Sequence, residues 1–161
     1  MSLPYKSWSG MKKQLEERLA DCLKGKITYY FTSYDKCGRA AILYNNKELL
    51  KCATADSFKQ SDLKYECAYG AEYEKAFNEI YCPAGAITEL NFLHYAAVFF
   101  NTDVFAALDS ENLLLRIFAV LDGRVGKRTL KKLYDEGNYK NLPDSVKQFY
   151  ELRFKEEGIA P

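Results

Sequence analysis

The run Ile27-Thr-Tyr-Tyr-Phe-Thr-Ser-Tyr34, Asp35-Lys-Cys-Gly38, Arg39-Ala-Ala-Ile-Leu-Tyr44, Asn45-Asn46, Lys47-Glu-Leu-Leu-Lys-Cys-Ala53 decides the fold. β-Branched and aromatic residues crowd its first eight positions, and such side chains suit a pleated, half-buried surface. Asp35 to Gly38 is turn material, and Asn45-Asn46 readily takes the positive φ of a tight hairpin. Three antiparallel strands are therefore expected over Ile27–Tyr34, Arg39–Tyr44 and Lys47–Ala53. Two- and three-residue loops both match the apolar positions, so the register stays open.

Helical periodicity lies on both sides of this meander. Upstream, Met11, Leu15, Leu19, Cys22 and Leu23 fall on one stripe, with Ser9 placed to cap the helix and Gly25 to end it. Residues 54–69 have no clean period and read as loop with a helical turn. A helix is expected over Ala71–Tyr81, with Tyr73 and Phe77 on one face and Pro83 and Gly85 breaking it. Further helices are expected over Glu89–Phe100, capped by Thr88, and over Asp103–Leu108, capped by Thr102. Another runs over Glu111–Leu121, capped by Asp109 or Ser110, with Leu114, Leu115, Phe118 and Leu121 or Asp122 toward the core. A basic segment follows at Gly126–Tyr134, and a last helix opens at Pro143 and stops near Gly158. With no Ser/Gly-rich linker, the expectation is one α+β domain over residues 1–161. It comprises an N-terminal helix, a small antiparallel three-stranded sheet and a C-terminal bundle of about five short helices.

Composition excludes several functional classes. Of 161 residues 48% are hydrophobic, with Tyr 13, Phe 10 and Trp 1, so the chain is not a disordered tail. Lys plus Arg is 23 against Asp plus Glu at 22, a net charge of +1, and bulk charge argues for no polyanionic partner. The lone histidine, His94, leaves little room for histidine catalysis, and it sits on a helix apolar nearly all round, where a histidine held by one hydrogen bond is the ordinary case. Met1 to Trp8 holds no apolar leader, and Leu90–Phe100, interrupted by Asn91 and His94, falls far short of the roughly 20 residues a membrane span needs. A cytoplasmic protein without membrane contact is expected.

The cysteines are odd in number, Cys22, Cys37, Cys52, Cys67 and Cys82, and lack both the C-x-x-C pair and zinc spacing. No metal and no cofactor are expected, and the thiols read as reduced and buried or half-buried. Each cysteine follows the last by fifteen residues, with a small residue three positions on (Gly25, Ala40, Ala55, Gly70, Gly85), yet the other columns do not align. That spacing has no physical account.

Three segments resemble a family of short uncharacterised bacterial proteins: Trp8-Ser-Gly-Met-Lys-Lys-Gln-Leu-Glu-Glu-Arg-Leu19, Gly38-Arg-Ala-Ala-Ile42 and Leu121-Asp-Gly-Arg-Val-Gly-Lys-Arg-Thr-Leu130. The last is the most specific. The family pattern there tends to read Asp-Arg-Arg-Val-Gly-Lys-Arg, and this chain departs from it with Gly123. The resemblance extends over nearly the full chain and is weakest between Thr54 and Ala71. It implies a cytoplasmic bacterial protein, with no assigned activity and no catalytic residues.

The sharpest local feature is Gly123-Arg-Val-Gly126 followed by Lys127-Arg128 and Lys131-Lys132. A helix beginning near Gly126 would place free N–H groups and the positive end of its dipole beside these cations, which suits a phosphate. Arg124, Lys127, Arg128, Lys131 and Lys132 are the candidate anion-binding residues, with Arg124, Arg128 and Lys131 spaced to share a face. The competing reading is a solvated basic face paired with Asp122, Asp135 and Glu136. Tyr29, Tyr30, Phe31 and Tyr34 could stack bases from a sheet, although the RNA-recognition consensus is absent. Neither nucleotide-loop motif occurs, and no catalytic residues are assigned. Tyr95, Phe99, Phe100, Phe105 and Phe149 exceed what one face per helix needs, which suggests an apolar contact surface. A non-catalytic module binding a protein partner or itself is expected first. Phosphate or RNA binding at the basic turn comes second, and a small enzyme without a recognisable motif third.

Overall fold

The computed structural model describes residues 7–33, 38–53, 75 and 88–160. The loop expected over 54–69 and the helix expected over 71–81 lie outside them, apart from Lys75. So do the turn at 34–37 and Cys37, Cys67 and Cys82.

The meander forms as expected. β1 (Ile27–Ser33), β2 (Gly38–Tyr44) and β3 (Lys47–Ala53) make an antiparallel sheet in that order. Asn45 and Asn46 take φ of 49° and 68°, the left-handed pair a two-residue hairpin requires. The open register has a physical resolution. Tyr44 pairs with Lys47, as a two-residue loop demands, but Ile42 pairs with Leu50, so a bulge between Ile42 and Leu43 absorbs one residue of β3. Both loop lengths matched because the strand pair uses one register at the turn and the other beyond the bulge.

α1 (Trp8–Arg18) is capped by Ser7, whose hydroxyl accepts from Gly10 N, and not by Ser9. It also ends one and a half turns earlier than its apolar stripe predicts. Leu19 and Ala20 are extended, and a single 3₁₀ turn, Asp21–Leu23, carries the chain to Gly25 at φ +81°. The stripe persists because Leu19 and Leu23 remain fully packed, although the backbone between them has left the helix.

The C-terminal half holds α2 (Glu89–Phe100), α3 (Val104–Leu108), α4 (Leu113–Leu121), α5 (Lys127–Glu136) and α6 (Asp144–Glu156). Thr88 caps α2 through a capping box with Asn91. Asp103 rather than Thr102 caps α3, and Asn112 rather than Asp109 or Ser110 caps α4. A carboxylate or amide reaches the N2 and N3 amides from these positions and fixes each start one to two residues later than expected. Pro143 precedes the first residue of α6, and a 3₁₀ turn, Asn138–Asn141, follows α5.

α4 is the buried centre: Leu114, Ile117, Phe118, Ala119, Val120 and Leu121 are almost wholly enclosed. Phe118 meets Phe92 of α2 edge-on at 5.6 Å and Tyr29 of β1 at 6.3 Å, so helices and sheet share one core. Close approach of β2 to α2 requires Gly38, where a Cβ would stand 2.6 Å from Cγ of the buried Glu89. Of the surplus aromatics, Tyr95, Phe99 and Phe149 are buried, while Phe105 is 48% exposed. Among the described residues no helix is long and apolar enough to cross a membrane.

Candidate functional site: a basic cleft between α1 and α5

The early end of α1 creates the site. The Ala20 amide donates to Leu121 O at 2.9 Å and the Gly123 amide to Arg18 O at 2.8 Å, tying the segment after α1 to the segment after α4 as an isolated antiparallel bridge. Gly123 sits close against this bridge, where a Cβ would lie 3.2 Å from Ala20 Cα. Between the two segments opens a cleft of about 720 Å³. Arg18, Lys24, Arg124 and Lys127 are the cations along it, and Glu17, Asp21, Asp122 and Glu157 the acids, with Arg153 and Cys22 beneath.

The turn at 122–126 is held from below. Arg153, 2% exposed, donates from Nη1 to Val120 O (2.8 Å) and Asp122 O (2.9 Å), and from Nη2 to Val125 O (2.8 Å). Its Nε reaches Glu157 Oε1 at 2.9 Å, which compensates the buried charge. One guanidinium thus draws two carbonyls of the turn and one from the end of α4 inward. Because the peptide plane is rigid and trans, the amide that follows Val125, that of Gly126, is directed away from Arg153. Gly126 is the N-cap of α5 and has no side-chain cap, so the first amides of α5 face outward at the positive end of a ten-residue helix.

From above, buried Asp122 organises Arg124. Asp122 Oδ1 accepts from the Arg124 amide at 2.8 Å and from Nε at 3.0 Å, and Oδ2 accepts from Nη2 at 2.8 Å. Asp122 and Arg124 form a turn closed by the carboxylate, with the guanidinium fixed at the rim and half exposed. This bond to Asp122 holds the Arg124 pKa above its ordinary value, with Asp103 adding a smaller electrostatic contribution.

Arg18, the last residue of α1, faces it. Its guanidinium lies over the rings of Phe99 and Phe100, at 5.7 and 5.0 Å from their centres. No carboxylate stands within ion-pair distance of it among the described residues, and its Nη1 is buried without a hydrogen-bond partner. Burial, then the like charge of Arg124, push its pKa below the ordinary value, and Asp122 only partly offsets them. Arg18 thus feels the charges of both Arg124 and Asp122, while only Arg124 is bonded to that carboxylate.

Cys22 sits at the floor as a half-buried thiol that donates to Glu157 Oε1 at 3.2 Å. Burial, then that bond and the charge of Glu157, push its pKa up to about 11. At neutral pH it is a thiol, not a nucleophile.

The five candidate residues divide between two places. Arg124 and Lys127 line the cleft, whereas Arg128, Lys131 and Lys132 line a shallower hollow along α5 with Asp135 and Glu136. Two of the local pairs exist: Arg124 with Asp122, and the long, exposed pair of Lys132 with Glu136 at 3.8 Å. Arg18 and Arg153 escape sequence reasoning. Arg18 reads as one more charge on the wet face of α1, and Arg153 as one on α6, since nothing local marks either as facing residue 122. The spacing Asp122-x-Arg124 is the one readable signal, because aspartate commonly bonds the amide two residues on. On the sheet, Tyr29 is buried while Tyr30 is 41% exposed and lies beneath the Arg39 guanidinium at 5.7 Å. Tyr34 falls outside the described residues.

A family model, described as the SF0329 protein family, matches residues 7–154. No curated protein and no solved structure matches the chain.

Proposed function

We propose that this chain, which belongs to the SF0329 protein family, is a cytoplasmic binding module that takes a phosphate-bearing ligand in the cleft between α1 and α5. One observation carries the reading: Arg18 and Arg124 both line this cleft, their like charges acting on each other, beside the uncapped amides of α5. An anion relieves the repulsion between the arginines, and it adds charge-assisted hydrogen bonds whose donors the fold has already positioned. Phosphate suits this set better than a carboxylate does, because its three or more oxygens answer donors arriving from several directions.

Titration calorimetry with pyrophosphate tests the reading, with Arg18→Met and Arg124→Ala as variants. Arg18→Met keeps an apolar side chain against Phe99 and Phe100, so it separates lost binding from lost packing. Each variant is expected to weaken binding about tenfold or more, the worth of one charged hydrogen bond. Unchanged affinity in both removes the site.

Contact with a protein partner or a second copy has one observation in its favour, the exposed ring of Phe105. Light scattering at high concentration tests self-association, and a monomer mass that persists there excludes a stable homo-oligomer.

A further inference from the structure

The cleft does not end at its rims. A second hollow, of about 430 Å³, adjoins it through Glu17 and Lys24 and runs along α1 past Lys12 and Lys13. Lys127, in the cleft, is followed in the first turn of α5 by Arg128, which lines a third hollow of about 440 Å³ with Lys131 and Lys132. Three concavities, joined through Glu17 and Lys24 and through the neighbours Lys127 and Arg128, thus carry cations from α1, from the turn after α4, and from α5.

Acids lie along the same line, and most are already engaged. Glu16 pairs with Lys12 at 3.1 Å, Asp21 with Lys24 at 3.4 Å, Asp122 with Arg124 at 2.8 Å and Glu136 with Lys132 at 3.8 Å. Among the described residues, Glu17 and Asp135 are acids along the track with no such pair, against Lys13, Arg18, Lys127, Arg128 and Lys131 as cations with none. The surplus is local: the whole chain has a net charge of only +1.

We infer that the ligand is a single strand of nucleic acid whose backbone crosses all three hollows, one phosphate seated between Arg18 and Arg124 and its neighbours on the lysines of α1 and α5. The inference rests on the phosphate reading of the cleft and extends it from a lone anion to a polyanion. A flexible strand follows a chain of concavities, whereas a planar membrane touches only their rims. Phosphodiesters repeated along a strand also match cations that recur along the track, and a compact phosphate leaves the outer two hollows unused.

The test is fluorescence anisotropy of the full chain with a labelled oligouridylate of about ten nucleotides, a length within the usual range for strand-binding grooves. Uridine monophosphate and phosphatidylserine vesicles are the comparison probes. The oligonucleotide is expected to bind at least about tenfold tighter than the monophosphate, with an affinity that falls steeply as salt rises. Lys131→Gln/Lys132→Gln and Lys12→Gln/Lys13→Gln should each flatten the salt dependence by about 1.4 in log–log slope, two phosphates at about 0.7 each for a single strand. Circular dichroism and thermal melting establish that each variant is folded. An oligonucleotide that binds no tighter than the monophosphate, or salt slopes unmoved in both double variants, overturns the strand and leaves the small-anion site standing. Vesicle binding without oligonucleotide binding overturns it in favour of a membrane surface. Absence of binding by oligonucleotide, monophosphate and pyrophosphate alike removes the cleft reading itself.

Discussion

Arg153 shows what one side chain does here. A buried arginine is costly unless each donor finds an acceptor, and its acceptors are one carbonyl of the last turn of α4, two of the turn that follows and the carboxylate of Glu157. Glu157 in turn accepts from Cys22, so the thiol reports on the same cluster. With its pKa at about 11, Cys22 holds about 100-fold less thiolate at pH 8 than a thiol at its ordinary value. Alkylation of the Cys22 peptide by iodoacetamide, followed by mass spectrometry, is expected to be slower than that of a model thiol by about this factor. Because the displacement is upward, the rate should keep climbing as pH rises from 9 toward 11. Glu157→Gln removes the charge that disfavours the thiolate and should speed the reaction. A rate that already levels off near pH 9 contradicts the buried hydrogen-bonded thiol. None of this was legible in sequence, where Cys22 and Glu157 stand at opposite ends of the chain and only folding brings their environments together.

At the scale of elements, local signals were legible wherever the partners are local. The hairpin is the clear case, because Asn45-Asn46 carries its own conformational preference. Both residues hold positive φ, a region where a β-branched side chain is strained by about 1–2 kcal/mol. Asn46→Val is expected to lower the unfolding free energy by about 1–2 kcal/mol in urea, and Asn46→Gly to stay within about 0.5 kcal/mol of the parent. Equal stability of the valine variant would mean that the turn is not left-handed. The end of α1 is the opposite case. Its apolar stripe runs on to Leu23, and periodicity alone extends the helix to Gly25. The helix stops at Arg18 because Leu121 and Gly123 supply the hydrogen bonds that a further turn would have made within the helix. That substitution, invisible to a 3.6-residue pattern, opens the cleft, so the site was half legible: the basic turn could be seen and its opposing arginine could not.

Across the whole molecule, the C-terminal helix is fastened to the sheet by one carboxylate. Glu156 of α6 accepts from Lys26 Nζ at 2.6 Å and from the Tyr44 hydroxyl, joining the residue before β1 to the last residue of β2. A few positions away Gln148 of α6 donates to Leu49 O of β3 at 2.8 Å. The bonds to Lys26 and then to Tyr44 hold the Glu156 pKa below its ordinary value. A carboxylate whose folded pKa is depressed contributes stability that is fully present above its unfolded value, about 4.3 for a glutamate, and lost as pH falls through the folded one. Glu156→Gln keeps the shape and removes the charge. At pH 7 the variant should melt about 2–4 °C below the parent, the shift expected for a modest ion-pair loss in a chain of this size. On acidification the two melting curves should draw together as pH falls through the folded pKa of Glu156, because the parent then carries a protonated, neutral carboxyl as well. A gap that does not begin to narrow once pH falls below the unfolded value would show that the fastening is steric rather than ionic.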